Sequence, residues 1–219
     1  MDKISQGLQV NILSMLLIVA IAVQSVFAAG QTVAVLPSDG VLNGMVTDKR
    51  DGKKYKTVKI GSQTWMAENL NYDASGSKCY ENKPANCEKY GRLYNWATAK
   101  SACSSGWHLP SDGEYETLNK YVGGEKVSGK KLKAKSGWNS YQGKSGNGTD
   151  EFGFSALPGG YGHSSGDLYI VGYSGYWWSA TESNANYAYY RYMSYYGDSV
   201  DRGDNFSKSG LFSVRCVQD

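Results

Sequence analysis

Four cysteines placed behind an apolar N-terminal run constrain this chain more than any other feature. Lys3 precedes a largely apolar stretch over positions 12–28, and Val26-Phe27-Ala28 fits the small-x-small cleavage pattern of a secretory signal. Residues 1–28 read as a signal peptide, with the mature chain starting near Ala29. A membrane anchor is the competing reading, because the run approaches the ~18 residues a spanning helix needs, although Gln24 and Ser25 interrupt it. Either way the remainder is exported, secreted or displayed at the cell surface, where thiols oxidise. Cys79, Cys87, Cys103 and Cys216 then form an even set open to three pairings. The turn-forming stretch Asn82-Lys83-Pro84-Ala85-Asn86 favours a local Cys79–Cys87 bridge, which would leave Cys103 for Cys216. Zinc is the rival use, but the spacings lack the close cysteine pair of the usual sites.

The rest of the composition points to sheet and loop. The 27 glycines stand against 4 prolines, and 18 tyrosines and 6 tryptophans accompany them, describing an aromatic, loop-rich and mostly β protein. At 219 residues the chain fits one large domain or one domain with appendages. A formal charge of +3 is too small for the concentrated basic face of a nucleic-acid binder. Two histidines, His108 and His163, exclude multi-histidine metal centres.

Residues 29–45 show little periodicity and read as a linker or tether, leaving 46–219 as the folded unit. Asp51-Gly52 is a hairpin signal between Val46-Thr47-Asp48 and the run from Tyr55 to Ile60, and Gly61-Ser62 turns into Gln63-Thr64-Trp65-Met66. Leu93, Trp96, Ala99 and Cys103 recur at helical spacing. A second helix carries a capping box, Ser111 at the N-cap and Glu114 at the third position, with Tyr115, Leu118 and Val122 on one face. Beyond Gly123 no comparable helix signal appears, and Gly/Ser/Asn clusters punctuate short runs at 152–157, 176–180, 187–193 and 211–216. Two helices followed by many short strands make an α+β fold. Trp65, Trp96, Trp107 and Trp178 sit in apolar runs or at core spacing and are expected to be buried.

The ordered blocks YKTVKIGSQTWMAENLNYD, CYENKPANCEKYGRLYNWATA, GWHLPSDGEYETL, GTDEFGFSALPGGY, YWWSATES and GLFSVRCV resemble the Fibrobacter succinogenes major paralogous domain from about Val46 to Val217. The resemblance implies a surface or secreted bacterial protein with a C-type lectin-like fold: two helices on short, mostly antiparallel strands, disulfide-stapled. It also implies that Cys103 ties the first helix to Cys216 on the last strand.

The block LPSDGEYE resembles the formylglycine-generating enzymes as well. That activity requires a reactive cysteine in the C-terminal region, where only Cys216 lies. The related iron-dependent sulfoxide synthases need a histidine cluster, and His108 in its Trp-His-Leu context reads as structural. The Glu-Pro-Asn and Gln-Pro-Asp loops of calcium-dependent lectins are absent, and Asp198 to Asp204 reads as a solvated loop. Arg202-Gly203-Asp204 within it is a triplet that chance supplies readily. We therefore expect no enzyme, no cofactor and no metal site; a structural surface subunit is the third class.

Residues 181–209 are the informative region. Six tyrosines crowd within ten residues among Asn, Ser, Asp and Arg, a mixture that paratopes use. It also resembles the variable segment of C-type lectin-like proteins diversified by retroelements. Met193 should point inward, which places Tyr190 and Tyr192 on the other face, and Tyr195 and Tyr196 flank a turn at Gly197-Asp198. The expected ligand surface is Asn184, Asn186, Tyr187, Tyr190, Tyr192, Tyr195, Tyr196, Asp198 and Asn205. Its expected partner is an extracellular glycan, polysaccharide or protein, not nucleic acid, with a membrane involved only if the N-terminal segment is retained.

Overall fold

Asp51-Gly52 makes the turn its residues demand, with Gly52 at φ +76° and its N–H donating to the Asp48 carbonyl at 2.8 Å. It joins β1 (Asn43–Thr47) to β2 (Lys54–Ile60), and Gly61 turns the chain again into β3 (Gln63–Met66). This computed structural model describes residues 43–219. The expected signal peptide lies outside the described residues, as does the tether apart from its last three positions, which belong to β1. Among the described residues no helix is long and apolar enough to cross a membrane.

A short helix, α1 (Pro84–Tyr90), follows and carries Cys87, with proline opening its first turn. Then come β4 (Leu93–Tyr94), α2 (Trp96–Ala102) and β5 (Trp107–His108). Helix α2 is capped by Asn95, whose side chain accepts from the Thr98 N–H. Helix α3 (Asp112–Tyr121) starts at the capping box read from the sequence, with both reciprocal Ser111–Glu114 hydrogen bonds formed. A further helix, α4 (Glu125–Leu132), stands where no helix signal was legible. The glycine in its middle allows the backbone of Asp198 and Ser199 to come into contact; a Cβ at Gly129 would collide with the Ser199 carbonyl.

The remaining strands are β6 (Ser140–Tyr141), β7 (Lys144–Ser145), β8 (Tyr161–Gly162), β9 (Leu168–Tyr169), β10 (Ser174–Glu182), β11 (Tyr187–Ser194), β12 (Asp201–Ser207), β13 (Phe212–Ser213) and β14 (Val217–Gln218). They form two five-stranded sheets, β1-β2-β3-β14-β5 and β12-β11-β10-β13-β4, and two small hairpins, β6-β7 and β8-β9. The fold is α+β with mostly antiparallel pairing. Two disulfides close it, Cys79–Cys87 and Cys103–Cys216. Three sequence expectations are corrected. The run 152–157 forms no strand beyond one bridge at Ala156. The acidic segment 198–204 is not wholly a loop, because from Asp201 it is a strand hydrogen-bonded to β11. Trp107 is only half-buried on its two-residue strand, while Trp138 and Trp177, not singled out, are 5% and 2% exposed.

Alternation along β10 splits the core in two. Trp177 packs with Trp65, Tyr115, Phe154 and Met193, whereas Trp178 faces Tyr94, Trp96, Tyr190 and Phe212. The second five-stranded sheet therefore contributes side chains to both cores.

The strand β14 lies between β3 and β5, and its end is clasped to α3 through His108. The imidazole Nδ1 meets Asp219 Oδ1 at 2.6 Å and Nε2 meets Glu114 Oε1 at 2.8 Å. Burial opposes the charge on His108, but the hydrogen bonds to Asp219 and Glu114 outweigh it and hold the pKa above the ordinary 6.5. Burial likewise pushes Glu114 up, and the Ser111 and His108 hydrogen bonds bring it below its ordinary 4.5. The His108 contribution is complete below its unfolded pKa and is lost as pH rises through the raised folded value; that of Glu114 is lost as pH falls through its lowered one. His108→Gln should therefore reduce stability at about pH 5.5 and much less at about pH 8.5, by under ~1 kcal/mol because the ring is part-exposed. Melting curves of both proteins at the two pH values check this, and an equal loss at both contradicts it.

Candidate ligand surface

The nine residues expected to form one surface occupy three places along β11. Asn184, Asn186 and Tyr187 are exposed at the β10–β11 turn. Here Asn184 Oδ1 accepts from the Asn186 and Tyr187 N–H groups at 2.9 and 3.1 Å, and Lys208 Nζ donates to the Asn184 and Ala185 carbonyls. The asparagine thus shapes its own turn. Tyr195, Tyr196 and Asp198 lie beyond the other end of the strand, on the order of 25 Å away at ~3.4 Å per residue. The two groups form separate patches.

Between them lies an open groove of about 430 Å³, lined by Tyr176, Tyr190, Tyr192, Arg202, Gly203, Asp204 and Asn205. Tyr176 and Tyr192 stack across β10 and β11 with centroids 5.6 Å apart and planes 16° from parallel. Tyr176 in turn stacks on buried Phe212 at 5.1 Å. The expectation that Tyr190 meets solvent is corrected: it is 8% exposed. Alternation does put it on the face opposite Met193, but Phe206, Phe212 and Trp178 cover that face. Its ring lies where a Cβ at Gly203 would be, and its hydroxyl donates to Asn205 Oδ1 at 3.1 Å. Tyr192 is half-buried. Burial pushes the Tyr176 phenol up to about 12. Burial first, then neighbouring acidic groups, raises Tyr190 and Tyr192 too, so all three stay protonated donors at neutral pH.

The sequence reading missed the aromatic neighbours of this groove. Tyr161 on β8 packs 5.1 Å from Tyr176, stacks on Tyr169 at 5.4 Å and meets His163 at 5.5 Å. The signal was present in the alternation Tyr161-Gly-His163 before a Ser165-Gly166 turn. Arg202 is likewise engaged rather than free. Its Nε donates to both oxygens of Asp112 at 3.1 and 3.0 Å, and its guanidinium lies 3.9 Å over the Tyr189 ring.

A second groove, of about 460 Å³, opens beside Tyr195 and Tyr196 and is lined also by Lys130, Lys133, Tyr141 and Lys144. A third, of about 440 Å³, lies beside β2 and α1; acidic Glu68 and Glu88 intermix there with Lys54, Lys56 and Lys89, and its single aromatic, Tyr55, is buried. Among the described residues no three His, Cys, Asp or Glu side chains gather to hold a metal ion. All four cysteines are in disulfides.

These features define a disulfide-stapled α+β domain with an aromatic, polar-rimmed sheet face. The sequence profile of the Fibrobacter succinogenes major domain matches residues 58–218, and the chain belongs to that family. No curated protein and no solved structure matches the chain.

Proposed function

We propose that the chain is an exported binding module of C-type lectin-like architecture, secreted or held at the cell surface. Its ligand, an extracellular glycan, polysaccharide or protein, is taken on the β10–β12 face. The observation that carries the reading is the Tyr176–Tyr192 stack, which lines an open groove rimmed by Asp204 and Asn205. Rigid tyrosines on a packed sheet recognise ligands at small entropic cost, and exposed aromatic surface rimmed by polar groups marks interaction sites. Two disulfides fit an oxidising compartment. The staple from the end of α2 to the segment entering β14 supports the lectin-like reading.

Two observations weigh against the formylglycine-generating alternative. Cys216 has no exposed surface and is bonded to Cys103. Both ring nitrogens of His108 are taken by carboxylates, which leaves neither as a base.

The test is a glycan, polysaccharide and surface-protein array probed with the exported protein and with Tyr192→Ala. The variant should bind any captured ligand at least about tenfold more weakly, ~1.4 kcal/mol, while melting within a few degrees of the parent. Unchanged binding by Tyr192→Ala refutes the assignment of the face.

A further inference from the structure

We propose that the groove beside the β11–β12 connection is a subsite for an acidic polysaccharide, one bearing carboxylate or sulfate groups. The proposal rests on the binding-module reading and adds the charge class of the ligand.

Lys130, Lys133 and Lys144 line this groove together with Tyr141, Tyr195 and Tyr196. Among the described residues none of the three lysines has a carboxylate within ion-pair distance. Lys130 Nζ donates to the Asn147 carbonyl at 2.9 Å. Lys133 Nζ donates to the carbonyls of Ser194 and Gly197 at 3.1 and 2.7 Å. Neutral carbonyls fix Lys130 and Lys133 without cancelling their charge, and one carboxylate in the groove, Asp198, faces three ammonium groups. An entering anion therefore gains a net attraction, met first at Lys130 and Lys144 because Lys133 is buried. Burial pushes Lys133 down to about 8, against the pull of the Asp198 carboxylate across the groove, which raises it. Lys144 stands exposed on the β6–β7 hairpin.

The aromatic half of the groove selects a ring-bearing ligand. Tyr141, Tyr195 and Tyr196 pack against one another with centroids 5.3–5.7 Å apart, and Tyr141 and Tyr196 are 42% and 65% exposed. Tyrosine rings accept the C–H faces of pyranose units, and an acidic substituent on the same unit can reach an ammonium. Gln142, Ser145 and Asp198 complete the lining with groups that hydrogen-bond hydroxyls. An acidic peptide offers few hydroxyls to match them. A nucleic acid needs a basic stripe long enough to meet several phosphates, and three lysines in one groove do not make one.

Affinity electrophoresis of the full exported protein through alginate, dextran sulfate and unmodified dextran tests the proposal. Retardation is expected in at least one acidic polymer and not in dextran, weakening as ionic strength rises; the preferred acidic polymer identifies carboxylate or sulfate as the recognised group. Lys144→Glu and, separately, Tyr196→Ala should each weaken retardation about tenfold or more with unchanged melting. Lys130→Gln gives a second charge variant. Retardation by dextran equal to that by the acidic polymers, retardation by neither acidic polymer, or indifference to Lys144→Glu overturns the proposal. If the array yields a ligand lost with Tyr192→Ala while these polymers are ignored, the acidic subsite fails and the binding-module reading stands.

Discussion

Replacing Cys103 and Cys216 together with alanine will cost this protein on the order of 5 kcal/mol, the value the chain-entropy model assigns to a loop of this size. The two cysteines are 113 residues apart in sequence, so the bridge removes a large part of the unfolded chain's freedom. It also holds the end of α2 to the segment leading into β14, the strand between β3 and β5. The loop closed by Cys79 and Cys87 spans 8 residues and should contribute roughly 2–3 kcal/mol in the same model. Typical domains have only ~5–15 kcal/mol of stability. Denaturant titration of the two double-alanine variants should therefore show the Cys103/Cys216 variant largely unfolded or marginal and the Cys79/Cys87 variant folded. The opposite ranking would show that the short bridge carries the fold.

Asp112→Ala carries the second largest expected effect, about 3–5 kcal/mol, because it strands a buried charge. Asp112 opens α3, where a carboxylate is favoured by the helix N-terminus. Its oxygens receive Arg191 of β11 at 2.5 Å and Arg202 of β12 at 3.0 Å, so one residue ties a helix to two strands of the proposed ligand face. The Arg191 side chain is 2% exposed and has no other carboxylate within ion-pair distance among the described residues. Loss of the Asp112 carboxylate leaves that buried guanidinium with no ionic partner, its remaining contact there being the neutral backbone carbonyl of residue 112 at 3.2 Å. Converting Arg191 to methionine in the Asp112→Ala background should recover much of the loss, since neutral packing replaces the orphaned charge. Urea titration of the single and double variants checks this. A single variant within about 1 kcal/mol of the parent contradicts the account.

The sequence made local features legible and hid those set by tertiary contact. The Ser111–Glu114 box spans four residues and the bond that closes the Asp51-Gly52 turn spans five, from Asp48 to Gly52, and both form as read. Helix α4 was invisible because GluLysValSerGlyLysLysLeu offers little apolar periodicity. Its Val127 is exposed and only Leu132 enters the core, so the helix is held also by backbone contact with Ser199 at Gly129 and by Lys133 reaching across to Ser194 and Gly197. Period-two alternation assigned Tyr190 and Tyr192 to the correct side of β11, yet could not show that Phe206 and Phe212 cover that side. The same limit scattered the candidate surface. A tyrosine count locates β11, but only the fold shows that the strand separates Asn186 from Tyr196 and that Tyr161 and Tyr176 join the middle of it.

The central claim is that the β10–β12 face is where this domain meets its ligand. Titration of the isotope-labelled protein with a ligand captured on the array, followed by amide and aromatic chemical shifts, tests it most directly. The account predicts saturable shifts at Tyr176, Tyr192, Gly203 and Asn205, extending to Tyr196 and Lys144 for an acidic polysaccharide. Shifts confined to Lys54, Glu68, Asn71 and Glu88, around the groove beside α1, would contradict it.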